Sequence, residues 1–351
     1  MEHLYLVDGS GFIFRAYHAV RPLTRPDGIP VNAVYGFTQM LLKLVEESDA
    51  DHIAVIFDAA RKTFRNDIFP DYKAHRPPPP DDLIPQFDLV KEATKAFGLP
   101  AVEMPGYEAD DIIATYAKMG AEAGASVTIV SSDKDLMQLV GGRVSMFDSM
   151  KNRLIRSEEV IERFGVVPEK VVEVQALAGD SVDNVPGVPG IGIKTAALLI
   201  NEYGDLETLL EHAHEVKQKK RRENLIEFSE QARISYKLVQ LKQDVPVPSS
   251  LSEFARKQID NDKTIQFLSE QGFKSIISRL NTGSQNLQQE QNETFENVDY
   301  KVVQDKNTLQ DWIKKIYREG LVSIDTETTS LNPMKAELVG ISLSVNQGKA
   351  C

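Results

Sequence analysis

Three short runs rich in β-branched residues, His3 to Val7, His52 to Phe57 and Ser126 to Val130, lead directly or within a few residues into aspartates: Asp8, Asp58 and Asp133. Stretches with helical periodicity separate the runs, which reads as parallel strands joined by crossover helices. One helix is expected over Gly36 to Glu47, where Phe37, Met40, Leu41, Leu44 and Val45 recur at helical spacing, and another over Tyr107 to Met119, with Ile112, Ile113, Tyr116 and Met119 inward. The three aspartates then share the carboxyl edge of one sheet, where loops converge and ligands bind in open α/β folds. A lone aspartate after a strand is most often a turn or helix cap. Three at one edge indicate a site.

The rest of the chain divides by pattern. Lys62 to Pro85 is basic and proline-rich, ends in Pro77 to Pro80, and cannot continue a helix or strand; it is expected to project from the sheet. After about residue 165 helical segments dominate, among them Lys170 to Ala178, Lys194 to Glu202 and Leu225 to Gln240. Residues 281–297 are polar and Gln/Asn-rich, as in a linker. A new α/β pattern starts at Val298, with Leu321 to Ile324 a strand entering Asp325. The expected organisation is an α/β core over 1–170, a helical half over 171–280, a flexible linker over 281–297 and the truncated start of a second α/β domain over 298–351.

Composition narrows the chemistry. The longest apolar stretches are far shorter than the roughly 20 residues of a membrane helix, and the first strand begins too near Met1 for a signal peptide, so a cytoplasmic protein with no membrane partner is expected. The single cysteine, Cys351, excludes a thiolate metal cluster. The net charge of −12 argues against a polyanionic partner, but the distribution counts for more than the sum. Arg61, Lys62, Arg65, Lys73 and Arg76 form one basic stretch, and Lys217, Lys219, Lys220, Arg221 and Arg222 another. Either alone reads most simply as a solvated face.

Further acids join the first three: Glu108, Asp110 and Asp111 at a helix start, Asp135, and the i,i+3 pair Asp180 and Asp183. Nine carboxylates in one cleft would repel one another and raise each other's pKa values. Divalent cations relieve such repulsion, and carboxylate ligands without His or Cys suit Mg²⁺ or Mn²⁺. Two such ions about 4 Å apart are an arrangement used for in-line displacement at a phosphodiester. Directly after Asp183, the run NVPGVPGIGIKTA places Gly187, Gly190 and Gly192 in a tight turn between helices, whose amides could approach a phosphate. Lys194 and Thr195 add a charge and a hydroxyl at the next helix start.

These residues resemble the 5′ nuclease, or flap endonuclease, domain at the amino terminus of bacterial DNA polymerase I, over about residues 1–280. The motifs are LVDGSGFIFRAYHA from Leu6, AVIFDA from Ala54, FPDYKAHRPPPPDDL from Phe69, GYEADDIIA from Gly106, SSDKDLMQLV from Ser131 and LAGDSVDNVPGVPGIGIKTA from Leu177. The resemblance implies a PIN-like α/β fold, a parallel sheet with flanking helices, plus a helical subdomain with a helix-two-turn-helix at Val185 to Ala197. It implies a metal cluster on Asp8, Asp58, Glu108, Asp110, Asp111, Asp133, Asp135, Asp180 and Asp183, holding two Mg²⁺ or Mn²⁺, and a K⁺ site at the hairpin. It also implies that Tyr72, Lys73 and Arg76 lie at the base of a helical arch, with Lys73 on the scissile phosphate and Arg15 and Tyr17 close by. The serine pair before Asp133 and Ile193 look like tolerated variation. A second resemblance, VSIDTETTSLNP from Val322, is to the first motif of the 3′-to-5′ proofreading exonuclease, with Asp325 and Glu327 as metal ligands; its remaining motifs are absent, so no proofreading or polymerase activity is expected.

The reading that follows is a metal-dependent 5′-to-3′ exonuclease and flap endonuclease, working as a monomer in the bacterial nucleoid on DNA with 5′ flaps, nicks or Okazaki-type junctions. A silent DNA-binding module would keep the hairpin but lose acids. A small-molecule phosphatase would explain Asp8 but give the hairpin no role.

Overall fold

A computed structural model describes residues 1–280, 299–330, 335–346 and 349–351. They form two compact units, Met1–Ile277 and Ser278–Cys351. The larger is built on a six-stranded sheet comprising β1 (His3–Asp8), β2 (His52–Ile56), β3 (Ala101–Val102), β4 (Ser126–Val130), β5 (Val144–Asp148) and β6 (Arg153–Ile155), in the spatial order β3-β2-β1-β4-β5-β6. The first five are parallel and β6 is antiparallel. The three strands expected from sequence are the central ones. Their runs are apolar without alternation because both faces are covered: Leu4 and Leu6 join one buried cluster, and Val7 is buried as well.

The chain runs outward from β1 through β2 to β3, then returns to the other side of β1 at β4. Strand order therefore reverses at β1 and leaves a crevice at its carboxyl end. Register aligns the edge, with Asp8 opposite Ile56 and Val7 opposite Val130. Helix α1 (Gly9–Ala19) packs on α2 (Asn32–Glu47), where Phe12 meets Phe37 edge-on with centroids 6.3 Å apart.

The passage from Lys62 to Pro85 is anchored at several buried points, while residues 74–78 and 80–82 are exposed. It carries a one-turn helix, α3 (Arg65–Ile68), then turns, and Arg65, Tyr72 and Leu83 are buried. No long helix spans residues 70–85; where a helical arch is expected, a succession of turns leads into α4 (Gln86–Ala96). Helix α5 (Ala109–Glu122) lies on β1 and β4, so close that a Cβ at Gly120 would fall 2.9 Å from Leu4.

The helical half comprises α6 (Ser157–Phe164), α7 (Val171–Ala178), α8 (Ile193–Tyr203), α9 (Leu206–Glu211), α10 (Lys219–Glu227), α11 (Ser229–Val239) and α12 (Asn261–Glu270). The single helix expected over Leu225 to Gln240 is two, broken at Phe228. No packing break occurs at residue 170, because α7 residues belong to the same buried cluster as the strands. The expected linker, 281–297, lies outside the described residues. In the second unit β7 (Asp299–Tyr300), β8 (Ser323–Thr328), β9 (Leu338–Asn346) and β10 (Lys349–Ala350) form a sheet in the order β7-β10-β9-β8, with a helix over Lys306–Glu319. Asp325 lies within β8, not after a strand ending at Ile324.

Candidate active site

Asp8 ends β1 and caps α1, accepting from the Gly11 amide at 2.7 Å. Its second oxygen takes the Ser131 hydroxyl at 2.8 Å, and Ser131 in turn accepts from the Asp133 amide at 3.0 Å. Ser131 is therefore not idle variation but a brace between two strand ends. Asp58 follows β2 and accepts the Ala109 amide at 2.8 Å, which links it to the start of α5. Asp133 accepts the Asp135 amide at 2.9 Å.

Eight of the nine expected acids line one cavity of about 170 Å³: Asp8, Asp58, Glu108, Asp110, Asp133, Asp135, Asp180 and Asp183. Asp111 is the exception. It is 0% exposed and does not line the cavity; both of its oxygens are held by Arg65, at 2.6 and 2.8 Å, and by the backbone amides of Glu108 and Lys242. Arg65, itself 1% exposed, also donates to the carbonyls of Leu238 and Gln240. The expected ligand Asp111 is thus the partner of a buried arginine, and the basic stretch around Arg65 is not a uniform solvated face. A buried carboxylate with every lone-pair direction used by a donor has none left for a cation.

The charge state of the wall is that of a crowded acid cluster. Burial pushes Asp8 up to about 6 against the hydrogen bonds from Gly11 and Ser131, with Asp133 and Asp58 adding to the rise. Burial and then Asp133 bring Asp135 to about 6, and desolvation, Asp133 and Asp8 raise Asp110 well above the carboxylate range. Asp180 moves the other way: burial opposes it, but the paired Lys134 lowers it. Basic side chains answer part of this charge. Lys73 reaches Glu108 at 2.9 Å and Asp183 at 3.6 Å, Arg76 pairs with Asp183, and Lys134 with Asp180. Burial works against the Lys73 ammonium, yet Glu108, Tyr72 and Asp183 hold its pKa above the ordinary value.

Lys73 is one of three non-glycine residues with positive φ among those described, at 56°. That conformation is costly for a side chain with a Cβ and persists only where the surroundings impose it. Here the Lys73 amide donates to the Asp183 carbonyl at 2.9 Å, and Asn184 donates to the Asp71 carbonyl at 2.7 Å. The basic loop and the Asp180–Asp183 loop are thereby fastened together. Tyr72 lies against Glu108, its hydroxyl donating at 3.3 Å. Arg15 and Tyr17 do not line the cavity: Arg15 donates to Ser149, and Tyr17 to Asp82 at 2.7 Å. Sequence reasoning missed Lys134, Gln175 and Ser131, each bonded to a cavity carboxylate.

The glycine hairpin lies between α7 and α8. Gly187 is buried, its amide already given to Ser235 at 3.0 Å, and a Cβ there would sit 2.5 Å from the Gly179 backbone. Its role is backbone packing rather than an open amide. Gly190, Gly192 and Lys194 are exposed and Thr195 half-buried. Ile191 donates to Val188 at 3.1 Å across Pro189 and Gly190, whose φ of 79° fits the third position of a type II turn.

The donor set fits a hard divalent cation: oxygen ligands only, mutually repelling, at the edge of a parallel sheet. Among the described residues no three of these acids already converge as a cage; five basic-to-acid pairings, the four above and Arg65 with Glu108 at 3.6 Å, offset part of the acid charge. Asp325 and Glu327 lie in β8 of the second unit, both exposed, opposite Ser342 and Gly340 of β9.

Sheet, acidic crevice and hairpin together define a PIN-like 5′ nuclease. Residues 3–165 match the 5′-3′ exonuclease N-terminal resolvase-like domain, residues 166–262 the 5′-3′ exonuclease C-terminal SAM fold, and residues 300–351 the 3′-5′ exonuclease domain. A 5′-3′ exonuclease of Aquifex aeolicus is 41% identical over 80% of this chain and 96% of its own length. DNA polymerase I of Rhizobium leguminosarum is 44% identical over 99% of this chain, which spans 42% of that protein. A T5 5′-exonuclease with bound divalent zinc superposes with a TM-score of 0.59 at 25% identity, covering 76% of this chain and 99% of its own. The chain belongs to the 5′-3′ exonuclease family and is a nuclease.

Proposed function

We propose that the chain is a structure-specific 5′ nuclease that hydrolyses DNA phosphodiesters at 5′ flaps, nicks and Okazaki-type junctions, as the front of a DNA polymerase I working in bacterial replication and repair. The observation that carries this reading is one cavity lined by eight carboxylates with Lys73 held among them in a strained backbone. Two Mg²⁺ or Mn²⁺ ions are assigned to Asp8, Asp58, Glu108, Asp110, Asp133, Asp135, Asp180 and Asp183, a reading supported by the metal-bound T5 relative. Bound there, such cations supply charge neutralisation and lower the pKa of water.

The chain's own residues do the rest. Lys73, Tyr72 and Arg76 border the same cavity, and Lys73 is assigned to the scissile phosphate, where a preorganised cation stabilises charge that grows in the transition state. The exposed turn around Gly190 and Gly192, with Lys194 and Thr195, is assigned to the duplex backbone, with K⁺ as the ion that helps hold it. Such contacts position DNA without reading sequence. No helix among the described residues is long and apolar enough to cross a membrane; we place the enzyme in the cytoplasm, at the nucleoid, as a monomer.

The direct test is release of a labelled 5′ flap from a branched duplex. Cleavage is expected in Mg²⁺ or Mn²⁺ and absent in excess chelator, with folding retained in both. Full activity in chelator would overturn the metal assignment, and loss of the label from unbranched duplex at an equal rate would overturn the structure specificity.

A further inference from the structure

Helix α7 is buried along almost its whole length, and among its residues Gln175, 5% exposed, lines the carboxylate cavity. Its amide nitrogen donates to Asp135 at 2.5 Å, whereas its carbonyl oxygen is buried and accepts from no donor among the described residues. The amide cannot simply turn over. An ionised Asp135 only accepts, so nitrogen must face it and oxygen must face away. Other polar side chains of α7 and of the neighbouring strand and helix ends have partners: Ser131 bonds Asp8, Glu173 takes the Leu206 amide at 3.1 Å, and Gln138 ties the carbonyls of Asp135 and Val239 to the Leu241 amide. Among the described residues, Gln175 is the cavity-lining one whose buried side-chain oxygen has no hydrogen-bond partner.

A buried acceptor with no donor from the protein, set in a polar cavity, is the kind of group that an ordered water or a bound ion's hydration shell satisfies. Hard divalent cations held by carboxylates retain several waters, and those waters are strong donors. Resting on the metal-dependent reading above, we propose that Gln175 is a positioning residue of the acid cluster. Its nitrogen fixes the direction of Asp135, and its oxygen accepts from a hydration water of the cation held there. A partner of this kind orients a ligand without touching the ion.

The test uses the full chain, free of DNA, with Mn²⁺ alone as the probe. Calorimetric titration gives its affinity, and the thermal midpoint in chelator reports on the fold. Gln175→Met keeps the volume and removes both polar atoms. It is expected to leave the midpoint in chelator unchanged or higher, because an orphaned polar atom is gone, and to weaken Mn²⁺ binding roughly tenfold. Equal Mn²⁺ affinity in Gln175→Met and the parent overturns the proposal. So does a lowered midpoint with unchanged affinity, or a variant that no longer folds, since either assigns Gln175 to the fold. A parent chain that binds no Mn²⁺ at all overturns instead the metal assignment on which the proposal rests.

Discussion

Asp110 and Asp111 are neighbours in sequence and opposites in surroundings, which allows one pair of variants to separate ligand from scaffold. Asp111→Asn leaves buried Arg65 with only Glu108, 3.6 Å away, as an acidic partner, and breaking a buried pair from one side costs up to about 3–5 kcal/mol. A marked fall in thermal midpoint in chelator is expected; an unchanged midpoint would mean the pair contributes nothing. Asp110→Asn removes a charge from a cluster that already repels it, so the midpoint in chelator should hold or rise while metal-dependent cleavage is lost. Undiminished cleavage would take Asp110 out of the metal cluster. Lys73 requires a kinetic separation. If it stabilises transition-state charge, Lys73→Ala lowers kcat far more than it raises KM, by on the order of 100-fold or more. A side chain that merely attracts DNA would give weaker binding that recovers at low salt. Single-turnover cleavage at saturating enzyme distinguishes the two, and a near-normal rate there removes Lys73 from the chemistry.

The hairpin shows how one motif divides its labour between packing and exposure. At Gly187, with φ of 60°, a Cβ would strike the Gly179 backbone, whereas at Gly192 it would meet open space. Gly187→Ala should therefore destabilise the fold, and Gly192→Ala should leave the midpoint near the parent's. Equal midpoints for the two would contradict the close approach at Gly179. Lys194→Ala should weaken duplex binding and flatten its salt dependence by about one unit of slope; an unchanged salt titration would remove the hairpin from the interface. What could be read in advance follows the same division. Strands β1, β2 and β4 declared themselves because strands covered on both faces are continuous apolar runs, and the carboxylates followed from those strand ends. Two-residue β3 has too little length to show a period. The break at Phe228 lies inside one amphipathic stretch, where local pattern is silent about tertiary packing. Pro77 to Pro80 ruled out a helix but said nothing about direction, so the burial of Arg65 and Tyr72 was invisible. Gln175 carried no signal at all, since only its burial beside Asp135 distinguishes it from any helical glutamine.

At the scale of the whole molecule, the acid crevice makes stability depend on pH in a direction opposite to that of a salt-bridged surface. In the metal-free fold Asp8 and Asp135 are raised from an ordinary 3.8 to about 6, and Asp110 is raised as well. A carboxyl with a raised folded pKa favours the folded state when protonated. Its contribution is complete below the unfolded value near 4 and is lost as pH rises through about 6. Asp180, lowered by Lys134, has the opposite sign, but its contribution is lost only as pH falls below about 4, outside that window. In chelator the thermal midpoint should therefore decline between about pH 4 and pH 6. Mg²⁺ binds the ionised carboxylates and stabilises the fold in proportion to its occupancy, so the midpoint shift it produces should be small near pH 5 and larger near pH 7. Replacing Asp8 with Asn should flatten the decline in chelator and shrink the Mg²⁺ shift together, because one group is responsible for part of both. Calorimetric scans across this range in chelator and in Mg²⁺ check the idea. A midpoint in chelator that rises steadily to pH 7, with a Mg²⁺ shift independent of pH, would mean that these carboxylates neither repel one another in the free protein nor bind the cation.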